Sequence, residues 1–195
     1  DLTSRCVPYT FKEVFLKTLD LPELGKIHSA KVNQSFTTLV DALASCVSVD
    51  IRKHTPSDFT LVMYWIRDNS LPRSSMTLDY ITKYNNTIQV NTRMSQMTLV
   101  ELDMTEEEYE EWRNKGIVFP TVRDAELIHN NSDVADEVKW MLEYAQYVEY
   151  IPTPGVTDYS DYVDRKLERL QELTKEHGLE FLAEIDKFSE LIDHG

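Results

Sequence analysis

Thr55-Pro-Ser-Asp58-Phe-Thr-Leu-Val-Met-Tyr-Trp65-Ile-Arg67-Asp68, then Met76-Thr-Leu-Asp-Tyr80 and Ile88-Gln-Val-Asn91, decide the fold class, because the hydrophobic period changes between them. Thr55 is placed as an N-cap, Pro56 at the first helical position and Asp58 where it can close the cap, so a helix is expected over about 56–68. Phe59, Val62, Met63 and Ile66 fill one of its faces, and Tyr64 and Trp65 widen it. Met76, Leu78 and Tyr80 then alternate with polar residues, as do Ile88 and Val90, and Asn85-Asn86 offers a tight turn between them. A β-hairpin is expected over about 76–91. The fold class is therefore α+β: mostly helical, with a small antiparallel β-hairpin or sheet in the middle and a helical C-terminal part.

Outward from this stretch, Phe11, Val14, Phe15 and Leu19 recur at helical spacing and predict a helix over about 11–20, punctuated by Pro22 and Gly25. A second amphipathic helix is expected over about 33–48, with Phe36, Leu39, Val40, Leu43, Ala44 and Val47 on one side. Beyond the hairpin, 98–102 and Ile117-Val-Phe-Pro120 read as short strands. Between them Thr105 and Glu108 form a capping box that opens a helix over about 105–115, stopped by Gly116. Further helices are expected over about 132–150, 160–176 and 179–192, with Ile151-Pro-Thr-Pro-Gly155 as a break. The expected organisation is an α+β domain over 1–128 and an acidic helical region over 129–195. On that division, a chain ending at Tyr150 folds but fails to co-assemble with its partner.

Of 195 residues, 42% are hydrophobic and 10% aromatic, which suits a packed core and argues against global disorder. The net charge of −14 is unevenly placed: residues 1–100 carry 9 acidic and 11 basic side chains, residues 101–195 carry 25 and 9. An acidic half repels phosphate backbones and anionic lipid, so no nucleic-acid partner is expected. No apolar run is long enough to span a bilayer and no signal-peptide pattern is present, so no membrane partner is expected either. Cys6 and Cys46, in apolar surroundings, suit reduced core thiols of an intracellular protein.

His28, His54, His129, His177 and His194 are scattered, with no pair at ligand spacing, so no metal is expected. No serine sits in a glycine-flanked elbow, and no glycine-rich phosphate loop occurs. Glu106-Glu107-Glu108 and Glu110-Glu111 read as solvated carboxylates at a helix start. Arg165, Lys166, Arg169 and Lys175 interleave with acids as on a solvated helix. No catalytic residue, cofactor or small-molecule substrate is expected, and the chain reads as a non-enzyme. Trp140, Tyr144, Tyr147 and Tyr150 repeat at three and four, with Tyr159 and Tyr162 beyond the break. Such a stripe is either internal packing or a surface covered on assembly, and these six are the candidate partner interface.

In series, these elements resemble the baseplate hub and hub-assembly protein family of T4-like tailed bacteriophages. The resemblance rests on Val-Pro-Tyr-Thr-Phe-Lys-Glu near the N-terminus, Ala-Ser-Cys46-Val, Ile51-Arg-Lys-His-Thr-Pro-Ser-Asp58-Phe59, Trp65-Ile-Arg67-Asp-Asn-Ser70, the hairpin, and Ile117-Val-Phe-Pro120-Thr121. It covers most of the chain. Members of that family often carry paired cysteines in the hairpin, whereas this chain has Tyr80-Ile-Thr-Lys-Tyr-Asn-Asn-Thr-Ile there, so a metal of that kind is not carried over. The resemblance implies a phage tail or baseplate assembly or structural protein, in the host cytoplasm during assembly or in the virion's tail baseplate, whose partners are other tail or baseplate proteins. The acidity of the C-terminal half suggests another class, an inhibitor or DNA mimic that binds a host DNA-binding protein.

Overall fold

The computed structural model describes residues 14–71, 76–81, 86–92, 102, 104–130 and 133–193. Its elements in chain order are α1 (Leu21–Asn33), α2 (Phe36–Ala44), a 3-10 turn (Ile51–Lys53), α3 (Pro56–Ser70), β1 (Met76–Ile81), β2 (Thr87–Thr92), α4 (Glu106–Asn114), α5 (Val122–Asn130), α6 (Asp136–Ala145), α7 (Tyr162–His177) and α8 (Glu180–Asp193). The fold is mostly helical α+β. Among the described residues, no helix is long and apolar enough to cross a membrane.

The locally capped elements form where their sequences place them. Thr55 Oγ1 accepts from the Asp58 amide at 3.2 Å, and Thr105 and Glu108 close a reciprocal box on α4. The strands β1 and β2 pair antiparallel with Leu78 opposite Val90 and Tyr80 opposite Ile88. Ile88 and Val90 remain 47% and 41% exposed, so this hairpin stands out from the cores. The strand expected over 98–102 lies outside the described residues except for Leu102, which is not in a strand. Cys6 also lies outside them. Cys46 is a free, buried thiol, and loss of solvation pushes its pKa up.

The first expected helix is corrected over 14–20, which are not helical. Leu16 forms an antiparallel bridge with Val47, the Lys17 amide donates to Cys46 O at 2.9 Å, and the Ser48 amide donates to Phe15 O at 3.0 Å. These long-range bonds hold the backbone extended and bury Val14. The helix begins instead at Leu21, where Asp20 and Glu23 close a capping box and Pro22 occupies the first turn. Gly25 lies inside that helix. The helix expected over 33–48 is shortened to α2, because Ser35 caps it at Thr38 and Val47 leaves to meet Leu16. Residues 122–130, for which no helix was expected, form α5.

Apolar side chains gather into two cores. Val14, Val40, Leu43, Ile51, Phe59, Val62, Ile66 and Val122 build the first. Met104, Tyr109, Ile117, Phe119, Leu170, Leu173, Phe181, Ile185 and Phe188 belong to the second. The division between cores therefore does not fall near residue 128: α4 and Ile117–Phe119 pack with the C-terminal helices, and α5 sends Val122 back into the first core. Phe188, fully buried, has the rings of Trp112, Phe119, Tyr147 and Tyr109 at 5.3, 5.4, 6.3 and 6.4 Å. Gly116 turns through φ +89, a backbone that favours glycine, and a β-carbon there would lie 2.9 Å from Leu173 Cδ1, which would have to shift.

Because α7 and α8 supply so much of the second core, a chain ending at Tyr150 loses it, which reverses the expectation that such a chain folds. Truncation after Tyr150 should abolish cooperative unfolding of the second core in calorimetry. Phe188→Ala should cost about 3–5 kcal/mol in denaturant unfolding, whereas Ile88→Ser on the exposed hairpin should stay within about 0.5 kcal/mol of the parent.

Candidate functional site

The six aromatic candidates do not form one surface. Helix α6 ends at Ala145, and the chain then turns through Gln146 and Tyr147 so that Val148 bridges Ile117, with the Val118 amide donating to Tyr147 O at 2.8 Å. That pairing ends the helical stripe. Trp140, Tyr144 and Tyr147 stay together on the α6 side, while Tyr150, Tyr159 and Tyr162 assemble about 4.5–6.1 Å apart by ring centroids at the start of α7.

The second group surrounds a buried polar node. The Asp124 carboxylate is 1% exposed and is met on both oxygens. Lys166 Nζ lies 3.0 Å from Oδ1, the Tyr162 hydroxyl donates to Oδ1 at 2.9 Å, and the Thr121 amide and hydroxyl donate to Oδ2 at 2.8 Å each. Lys166 Nζ also donates to Val148 O at 2.6 Å and Gln146 O at 3.3 Å. Burial pulls the Lys166 pKa down, against the opposing pull of Asp124, and loss of solvation raises that of Tyr162. A buried lysine of lowered pKa is a common signature of a reactive amine. Here three acceptors take the three N–H bonds and four donors take the carboxylate, so the arrangement is a tie between α5 and α7 with no donor left over. Lys166 is thus corrected from the solvated face expected for it, whereas Arg165 and Arg169 do pair along the helix with Glu168 and Glu172 at 2.6 and 3.1 Å.

Nothing in the reading of the sequence marked Asp124. A signal for it exists: Thr121-x-x-Asp124 after Pro120 is a helix-opening pattern, and the Asp124 amide donates back to Thr121 Oγ1 at 3.3 Å. For Lys166 the signal is its place in the stripe Tyr162, Lys166, Leu170, Leu173, all buried.

Beside this node, Asp161 fastens the loop before α7. It accepts from the Thr153 amide at 2.7 Å and the Tyr150 hydroxyl at 2.6 Å. Those two bonds, Thr153 first, hold the Asp161 carboxyl down at about 2. Loss of solvation, with the adjacent Asp161 charge, pushes Tyr150 up to about 12.

The first group lines an open groove between α6 and α8. Trp140 is 52% exposed, its ring edge-on to Tyr144 at 5.2 Å, and the hydroxyls of Tyr147 and Ser189 hydrogen-bond at 2.9 Å. Ile185 forms the floor, Glu143 and Asp186 supply two carboxylates, and the volume is about 290 Å³. No basic side chain lines it.

The described histidines do not converge. His54 is buried and its pKa is lowered by desolvation, His129 reaches Gln34 O at 3.1 Å, and His177 stacks on Phe181. Among the described residues, no group of three or more His, Cys, Asp or Glu side chains could hold a metal. The chain matches no protein-family model, no curated protein and no solved structure.

Removing one member of the buried pair strands the other, so Lys166→Ala should cost about 3–5 kcal/mol. The double variant Asp124→Leu/Lys166→Met should cost less than the sum of its two singles, as read by urea unfolding. The Asp161 carboxyl is depressed in the fold, so its contribution is complete above its ordinary pKa near 3.8 and is lost as pH falls toward about 2. Amide exchange at Thr153 should accelerate across that window, and Asp161→Asn should remove the dependence.

Proposed function

We propose that this chain is a non-enzymatic phage tail or baseplate protein, structural or assembly-directing, that acts by binding another tail protein through the groove between α6 and α8. The supporting observation is Trp140: a tryptophan half in solvent, on an aromatic groove edged by Glu143 and Asp186. Trp and Tyr carry a disproportionate share of binding energy at protein interfaces. The two carboxylates favour a partner segment bearing Lys or Arg beside an apolar residue, the cation meeting the indole face and the acids. The order of sequence elements supplies the phage assignment and the expected partners, other tail or baseplate proteins.

The alternative, an acidic mimic of DNA, needs unneutralised carboxylates regularly spaced on one face. Arg165 with Glu168, Arg169 with Glu172, Arg113 with Glu110, and Lys115 and Lys187 with Glu184 break up such an array. Lys187 and Lys115 hold the Glu184 carboxyl down at about 2.

The test is affinity capture of the tagged chain from cells expressing the neighbouring viral genes, with mass spectrometry of the captured proteins. Recovery of a tail or baseplate protein in fixed ratio is expected. Trp140→Ala should weaken that capture by roughly thirtyfold, the equivalent of about 2 kcal/mol, with melting unchanged. Association should slow as salt is added. Capture of a host DNA-binding protein alone would reject the reading in favour of the mimic.

A further inference from the structure

Several of the described arginines are answered by carboxylates. Arg52 is gripped by Glu126 through Nε and Nη2 at 2.8 and 2.9 Å and also meets Asp41, while Arg113, Arg165 and Arg169 each hold a carboxylate within 3.1 Å. Arg123, at the start of α5, is different. Among the described residues no carboxylate pairs with it, and its Nε hydrogen is buried without an acceptor. Arg169 has a similarly covered Nε, but Glu172 neutralises it.

The Arg123 guanidinium lies under the Tyr159 ring, Cζ 3.8 Å from the centroid. Tyr159 stands at φ 60, a left-handed backbone that a side chain with a β-carbon disfavours. The donors of a guanidinium lie in its plane, and those that Tyr159 leaves uncovered are the ones an acceptor in the groove can meet. Arg123, Arg52 and Glu126 line a groove of about 350 Å³ whose apolar wall is Leu127 and Val163. Within that lining the charges sum to one positive, although the chain as a whole carries −14. An arginine with no carboxylate partner, held against a tyrosine ring and lining an apolar-walled groove, is suited to a planar or tetrahedral oxyanion.

We propose that this groove, between α5 and the start of α7, binds a carboxylate or phosphate group through the edge of Arg123, with the apolar part of the ligand against Leu127 and Val163. It is separate from the α6/α8 groove and does not depend on the identity of the protein partner.

The experiment follows the arginine Nε–Hε resonances of the ¹⁵N-labelled full chain during separate titrations with sodium acetate and sodium phosphate, at ionic strength held constant with chloride. One resonance should move saturably, and it should be missing from the spectra of Arg123→Gln and Arg123→Lys. Tyr159→Ala should retain that resonance and weaken its response several-fold. Saturation by acetate alone supports the site as one for a carboxylate-bearing ligand, by phosphate alone as one for a phosphate ester, and by both as a general oxyanion site. A response that is linear in both anions, or a saturating resonance that persists in Arg123→Lys, would overturn the proposal. The wild-type titration stands even if a variant fails to fold.

Discussion

The buried contact of Asp124 with Lys166 is the constraint on which the arrangement of this molecule turns. Each core could close on apolar packing alone, but α5 belongs to the first through Val122 and faces the second through Asp124. Taking two charges out of water costs several kcal/mol per ion, and only complete hydrogen bonding offsets it. The chain provides that completeness from three directions: Thr121 from the cap of α5, Tyr162 and Lys166 from α7, and the Val148 and Gln146 carbonyls from the turn and bridge after α6. An apolar contact at this place would tolerate sliding. A saturated carboxylate fixes one register of α7 on α5.

That register has consequences for both grooves. It brings Tyr162 and Tyr159 alongside Arg123, and it requires α6 to end early enough for Val148 to pair with Ile117. The early end separates Tyr147 from Tyr150 and leaves Trp140, half in solvent, and the partly buried Tyr144 beside α8. The six aromatics are thus divided into a cluster around the buried Tyr162 at the joint and a second set beside α8 whose exposed member is Trp140. The proposed docking of a partner on the α6/α8 groove draws on this geometry: Trp140 is uncovered at the rim while the floor, Ile185, is fixed in the second core.

What could be read in the sequence was what is decided locally. The caps of α3 and α4, the alternation in β1 and β2, and the breaks around α7 and α8 depend on residues within a turn of one another, and these elements fall close to their expected places. Residues 14–20 did not, because the helical spacing of Val14, Phe15 and Leu19 competes with backbone bonds to Cys46 and Ser48, some thirty positions away. Pro22 is equally consistent with the end of a helix and with the first turn of one, and only the Asp20–Glu23 box distinguishes them. The six aromatic residues were identifiable as a group, but their partition was not, since it follows from the non-local pairing of Ile117 with Val148. Lys166 was hidden for a similar reason: a lysine among glutamates and arginines looks solvated until the stripe it shares with Tyr162 and Leu170 is followed inward.

Lys166 and Asp124, the titratable groups that look most promising for chemistry, are bound into structure, and of the six candidate aromatics Trp140 is the one left exposed. Hydrogen–deuterium exchange on the complex formed with a captured tail protein, compared with the chain alone, is the most direct measurement of where that surface lies. Slowed exchange confined to 140–147 and 185–189 is the result expected of a partner seated between α6 and α8. Unchanged exchange there, with protection falling instead on the β1–β2 hairpin or on α1, would contradict it.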